Sequence, residues 1–306
     1  MMAMNEKIIA KRMRIKNKKR TMFIVGMLAI PIIQFLLFFV YVNINTIFMA
    51  FQVRVGTSVK WSTLNFERFF AELGTKPEFT YGIRNSLLFG LNDLILLTVS
   101  VLFSYFFYKK VRGSSFFRIV FFLPSIISIV IFVMVYKYMF NMGVVGEVLG
   151  VFGIENPPTL DRSSDYLVFM IMFYCLWVGT GYNILIMCGA MSNLPEEVME
   201  YSRLEGVGYF RELVQVVIPM IWPTIAVGVL GSITVMFTLF MQVDLLTQTG
   251  GSSNQATTIA FMINKMVKSR NLEWAATLGV CFTVVAIPII IIVRKTLDLI
   301  GKKFGV

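Results

Sequence analysis

Apolar residues gather in six long runs, roughly 22–42, 86–108, 119–136, 167–191, 220–243 and 275–293. A helix needs about 20 mainly apolar residues to cross the hydrocarbon core of a bilayer, so each run is read as one span. Pro31, Pro124, Pro223 and Pro288 fall inside these runs. Membrane helices tolerate such prolines because neighbouring helices satisfy the freed backbone groups. The expectation is an all-α integral membrane protein with six transmembrane helices, divided into a basic tail, 1–21, and a six-span domain, 22–306. The run that starts at Met22 is too long for the apolar core of a signal peptide, and no small-residue cleavage site follows it. It reads as a retained first span.

Composition agrees, since 57% of the 306 residues are hydrophobic and the mean hydropathy is +0.75. The net charge of +11 is not gathered on a polar domain, which argues against nucleic acid as the partner. Its bases cluster at the ends of the apolar runs. The tail holds eight of them (Lys7, Lys11, Arg12, Arg14, Lys16, Lys18, Lys19 and Arg20) against the single acid Glu6. With that tail inside, 18 of the 28 Lys and Arg fall in cytoplasmic segments. The positive-inside rule then places both termini in the cytoplasm. Cys175, Cys188 and Cys281 all lie inside apolar runs and read as small buried hydrophobes. The chain has no histidine, which removes histidine-based catalysis and metal binding.

The segment between the fourth and fifth runs, 192–219, departs from this pattern. It carries Glu196, Glu197, Glu200, Glu205 and Glu212 against only Arg203 and Arg211. Asn193 can cap a helix, Pro195 suits its first turn, and the first glutamates sit at the positive end of its dipole. Gly206 offers a break, and a second amphipathic stretch from Tyr209 to Val217 leads into Pro219. Helix, glycine turn, helix is the expectation. Its acidic face suits a basic protein groove better than the anionic inner leaflet.

These residues resemble the signature cytoplasmic loop of ABC importer permeases, a Glu-Ala-Ala, Gly, Ile-x-Leu-Pro pattern. Glu200-Tyr201-Ser202 stands at its first element, Glu205-Gly206 at its second and Val216-Val217-Ile218-Pro219 at its third. Tyr201 and Ser202 replace the two alanines, and Glu205 the usual Asp. FFRIVFFLPSIIS (116–128) and LWVGTGYNILIMCGAMSNLP (176–195) are similar to the third and fourth spans of the carbohydrate-uptake branch. DLLTQTGGSSNQATT (244–258) resembles its external Leu-Thr-x-Gly-Gly-Pro loop, with one extra residue and Ser252 in place of the proline. The resemblance implies a maltose- or glycerol-phosphate-type permease in the bacterial cytoplasmic membrane. It implies that the loop is a coupling helix docked on an ATPase subunit. The implied partners are a second permease, two ATPase copies, an extracellular solute-binding protein and a sugar.

Sugar is held by hydrogen bonds and flat apolar faces, so mid-span polar and aromatic residues are the candidates. Trp177, Tyr182 and Asn183 lie in the fourth span, and Ser232, Thr234, Thr238 and Gln242 in the fifth. Aligned on the motifs, the maltose-type contacts fall on Val178, Gly179, Tyr182, Ser232, Val235, Met236 and Leu239. Met236 and Leu239 stand where the family has amides, which implies fewer polar contacts here. Each of these residues equally fits ordinary helix packing. Asn92 and Asp93 are the one adjacent amide and acid deep in a run, and Asp244 lies at the mouth of the fifth.

No G-x-x-x-x-G-K-[ST] loop is present, so ATP and Mg belong to a partner chain, no cofactor is expected here, and the chain is not read as an enzyme. Gly179-Thr180-Gly181 lies inside a span and needs no nucleotide. The alternatives are a permease for a non-carbohydrate solute and an ion-coupled secondary transporter. The latter predicts an inverted repeat and paired intramembrane acids, and the sequence displays neither.

Overall fold

A computed structural model describes residues 19–55, 58–141, 143–151, 153, 160, 166–251 and 254–305. The tail bases from Lys7 to Lys18, and Ser252, lie outside them. Four helices are long and apolar enough to cross a membrane: α1 (Lys19–Ala50), α3 (Pro77–Tyr108), α7 (Leu167–Ser192) and α13 (Leu272–Phe304). Two bent pairs raise the number to as many as six if each is one span. They are α4 (Ser114–Ile126) with α5 (Ile129–Asn141), bent by 103°, and α9 (Tyr209–Met220) with α10 (Trp222–Thr238), bent by 81°. Shorter helices are α2 (Leu64–Leu73), α6 (Val144–Val151), α8 (Glu196–Leu204), α11 (Met241–Thr247) and α12 (Ile259–Lys268).

The third apolar run is therefore not a straight helix and the fifth begins at a bend, with a proline a few residues before each break. Pro124 lies within α4, whose end at Ile127 turns extended (φ −73°, ψ 140°) before α5 begins. In α9 the turn before Pro219 widens to π geometry over Leu213–Val217, and the Ile218 N–H reaches back to the Leu213 carbonyl. A proline offers no N–H and crowds the carbonyl four residues earlier, which a widened turn relieves. Pro223 then opens α10 in its first turn, where a missing N–H costs nothing.

The fold is not purely helical. β1 (Gln52–Val55) pairs antiparallel with β2 (Ser58–Trp61), Val53 opposite Lys60. Three valines alternate with polar residues there, a period-two pattern too short to register beside the long apolar runs. The hairpin and α2 cap the start of α13. Arg54 pairs with the buried Glu273 at 3.0 Å, Asn65 donates to the Gln52 carbonyl, and Arg68 stacks over Trp274 at 4.4 Å.

At the centre stands α3, with α7 and α10 packed along it. Small residues let these helices close. A Cβ on Gly179 would meet Leu96 Cδ1 at 2.6 Å, and one on Gly228 would meet Leu97 Cδ1 at 2.7 Å. Polar side chains of α3 lock its neighbours by their backbones: Asn92 to the Met172 carbonyl, Ser104 to that of Ile184, and Asn85 to those of Gln255 and Thr257. By contrast α1 is exposed or half-buried over its described length, apart from Ala50 at its end.

Candidate functional site

At one end of the bundle the chain leaves α7 through a polar cap. Asn193 donates to the Gly189 carbonyl at 3.0 Å, so it finishes α7 and does not start the next helix. Pro195 directly precedes α8 instead. Leu194 and Met199 are buried in one cluster with Met191, Leu213 and Val217, which seats α8 on the bundle. Glu196, Glu197, Glu200 and Tyr201 face outward. Tyr201 donates its hydroxyl to Glu205, and that bond holds its pKa above the usual tyrosine value.

Gly206 ends the helix as its spacing foretold. It has φ +68°, and the Val207 N–H reaches back to the Ser202 carbonyl at 3.2 Å, the six-to-one bond of a left-handed helix stop. A side chain there would meet no neighbour within 4 Å, so the demand for glycine comes from the backbone alone.

Two members of the expected set turn inward. Ser202 is buried, its hydroxyl without a partner among the described residues. Glu212 is also buried and pairs with Lys109, at the far end of α3, at 2.5 Å. The outward face thus has one carboxylate fewer than the five in the sequence. Lys109 lies 5.6 Å above the Tyr105 ring, and the Tyr105 hydroxyl donates to the Tyr209 carbonyl at 3.2 Å. Pro219 lies near the end of α9, between its widened turn and the bend. Leu204, 86% exposed beside the acids, went unremarked in the sequence because one leucine among charges gives no periodic signal.

At the opposite end, the Gly-Gly loop is held tightly. Gly250 and Gly251 have φ +88° and +89°. Added Cβ atoms would meet Thr257 Oγ1 at 2.9 Å and Leu167 Cδ2 at 2.7 Å respectively. Asn254 donates to Glu78 of α3 at 2.6 Å, and Lys265 pairs with the same carboxylate at 3.1 Å. Asp244 pairs with Lys268 at 2.6 Å.

The eight substrate-path residues do not converge on one surface within this chain. Ser232 is 1% exposed and bonded to the Gly228 carbonyl of its own helix. Met236 fills the space above Gly90, and Gly179 is the crossing point with Leu96. Val178 and Leu239 pack against the large core cluster, while Val235 is half-buried. Trp177 rests edge-on against Phe132 at 5.0 Å, walling a 490 Å³ cavity with Tyr136 and Phe173. Tyr182, 61% exposed, is the one fully presented polar aromatic of the set. Thr234 and Thr238 add an exposed hydroxyl edge on α10.

Gly181 has a firm structural use. A Cβ there would sit 2.3 Å from the Phe121 carbonyl oxygen, so α4 and α7 touch backbone to backbone. Asn92 is spent on the Met172 carbonyl, while Asp93 is half-buried.

A bundle of apolar helices with an acidic, glycine-stopped helix at one end matches a known kind of transport component. The family described as binding-protein-dependent transport system inner membrane component matches residues 95–305, well over half of the chain. The chain belongs to this family, one of transport components rather than an enzyme class, and it is a multi-pass membrane protein. The probable ABC transporter permease protein YurN of Bacillus subtilis is 25% identical over 295 residues, 90% of this chain and 93% of that protein. The multiple sugar-binding transport system permease protein MsmF of Streptococcus mutans is 23% identical over 284 residues, 91% of this chain and 95% of that one. A solved bacterial alginate ABC transporter, in complex with an alginate pentasaccharide-bound periplasmic protein, shares the fold. Its TM-score is 0.79 at 21% identity, covering 94% of this chain and 98% of the matched one.

Proposed function

We propose that the chain is the sugar-translocating permease of an ATP-driven, binding-protein-dependent importer, with six spans and both termini in the cytoplasm. In this reading each bent pair is one span, residues 22–306 form the transmembrane domain, and 1–21 is a cytoplasmic tail. The observation that carries it is α8, an acidic outward face seated on the bundle by Leu194 and Met199 and stopped at Gly206. A short helix so built is a plug for a basic cleft on an ATPase, with Glu200, Tyr201 and Glu205 outermost and Leu204 adding an apolar contact. Two ATPase copies, which hold ATP and Mg, a second permease and an extracellular solute-binding protein complete the assembly. Carbohydrate is favoured because two of the three proteins named above belong to a multiple sugar-binding system and an alginate transporter.

Within the path, Tyr182 is the candidate for sugar contact, and the second permease supplies polar groups where this chain offers Met236 and Leu239. The test is reconstitution with the partner subunits. Glu200→Lys and Gly206→Val should leave membrane insertion intact and abolish the stimulation of ATP hydrolysis by sugar-loaded binding protein. Undiminished stimulation in both variants would remove α8 as the coupling element.

A further inference from the structure

Cations that pair with no described acid collect at the mouth of a furrow between α4 and α7. The loop from α3 to α4 turns through two left-handed residues, Lys110 (φ 51°) and Gly113 (φ 90°). Lys110, Arg112 and Arg118 thereby line a cavity of 670 Å³, with the hydroxyls of Ser114, Ser115 and Ser192 around it. Glu196 is the one acid in its wall. The neighbouring Lys109 is taken up by Glu212, whereas no described acid pairs with Lys110, Arg112 or Arg118. The site therefore carries a surplus of positive charge and several short donors, the chemistry that holds a phosphate.

Arg118 also lines a second cavity, of 350 Å³, whose other walls are apolar: Ile119, Phe122, Gly181, Ile184 and Leu185. Gly181 belongs both to this wall and to the backbone contact with Phe121, so the floor of the furrow is fixed by helix packing. Along α7 the lining passes from Gly181 and Ile184, through Cys188, to Ser192. A charged mouth thus opens onto an apolar furrow within a few helical turns. Free phosphate would satisfy the mouth and leave the furrow empty, and an acidic protein loop would do the same.

We propose that this groove holds one anionic phospholipid of the inner leaflet, its phosphate among Lys110, Arg112 and Arg118 and an acyl chain between α4 and α7. The proposal rests on the topology given above, which puts the α3–α4 loop at the cytoplasmic surface. There anionic headgroups and juxtamembrane bases meet. Because Glu196 opens α8, the bound headgroup would lie against the first turn of the proposed coupling helix.

Native mass spectrometry of the assembled transporter, drawn from vesicles of phosphatidylethanolamine and phosphatidylglycerol, tests this directly. Wild type should retain one phosphatidylglycerol in preference to phosphatidylethanolamine, and millimolar inorganic phosphate should not strip it. Arg112→Gln and Arg118→Gln should each weaken retention about fivefold, the weight of one base near an anionic surface. Arg294→Gln/Lys295→Gln, in the C-terminal third of α13, should not. Equal retention of both lipids, loss to inorganic phosphate, or unchanged retention in both arginine variants would overturn the proposal. So would retention by the permease alone but not by the complex, because the ATPase would then own the surface. Failure of the transport reading shows elsewhere, as a permease that copurifies with no ATPase.

Discussion

Removing the Lys109 ammonium is the sharpest perturbation this structure offers. Lys109→Met leaves the Glu212 carboxylate, whose side chain is 4% exposed, without its 2.5 Å partner. Breaking a buried pair from one side commonly costs about 3–5 kcal/mol, because a lone charge stays desolvated. The pair joins α3 to α9, so the cheapest relief is for α9 to lift away. Since about 1.4 kcal/mol is a factor of ten, the lifted form should gain roughly two to three and a half powers of ten. Val217, fully buried on α9, reports lifting if it is replaced by cysteine in a background lacking Cys175, Cys188 and Cys281. Maleimide should label Val217→Cys far faster when Lys109→Met is present. Adding Glu212→Leu should restore slow labelling, because an apolar pair of similar size needs no partner charge. If Lys109→Met labels at the wild-type rate, or the double replacement labels as fast as Lys109→Met alone, the pair does not hold α9 to α3.

Gly181→Val should sharply reduce the yield of folded protein, since a Cβ falls 2.3 Å from the Phe121 carbonyl; Gly189→Ala, in the same helix with nothing within 4 Å, should be silent in size-exclusion profiles. Tyr182→Ala should lower sugar uptake in vesicles with the complex intact. Ser232→Leu should damage assembly as well, because Ser232 is 1% exposed against its neighbours; normal copurification and normal uptake in both variants would dismiss this division of roles. Single cysteines at residues 58–80 and 254–270 should react with an impermeant reagent on intact cells, and those at 195–212 should not. External labelling of the latter would invert the topology.

Much of the architecture was legible because membrane spans announce themselves by length and apolarity. Gly206 was legible too, since a glycine that interrupts an acidic amphipathic stretch has few uses. What stayed hidden depends on partners distant in sequence. Asn85, Ser86 and Ser104 look like minor polar interruptions of a span, yet they bond to backbone groups of the Gly-Gly loop, α12 and α7. Glu212 reads as one more surface acid until Lys109, more than 100 residues earlier, is placed beside it. Ser232 and Met236 matched a substrate-contact motif by position, but small and flexible residues at four-residue spacing serve helix crossing equally well. The bends escaped for another reason. A proline in a span marks where a helix weakens, and the packing around it sets the angle.

One consequence of α3 concerns mechanics. Its 32 residues make a rod about 48 Å long, against about 30 Å of hydrocarbon, and after Pro77 in its first turn it contains no proline. Glu78 ties one end to Asn254 and Lys265, and Lys109 ties the other to Glu212. A strut clamped at both tips has no slack along its axis. The two elbows, where the α4–α5 and α9–α10 pairs bend, are then the expected seats of movement. Spin labels near the two tips of α3 should therefore report one unchanging distance through the whole nucleotide cycle, while labels spanning either elbow report several.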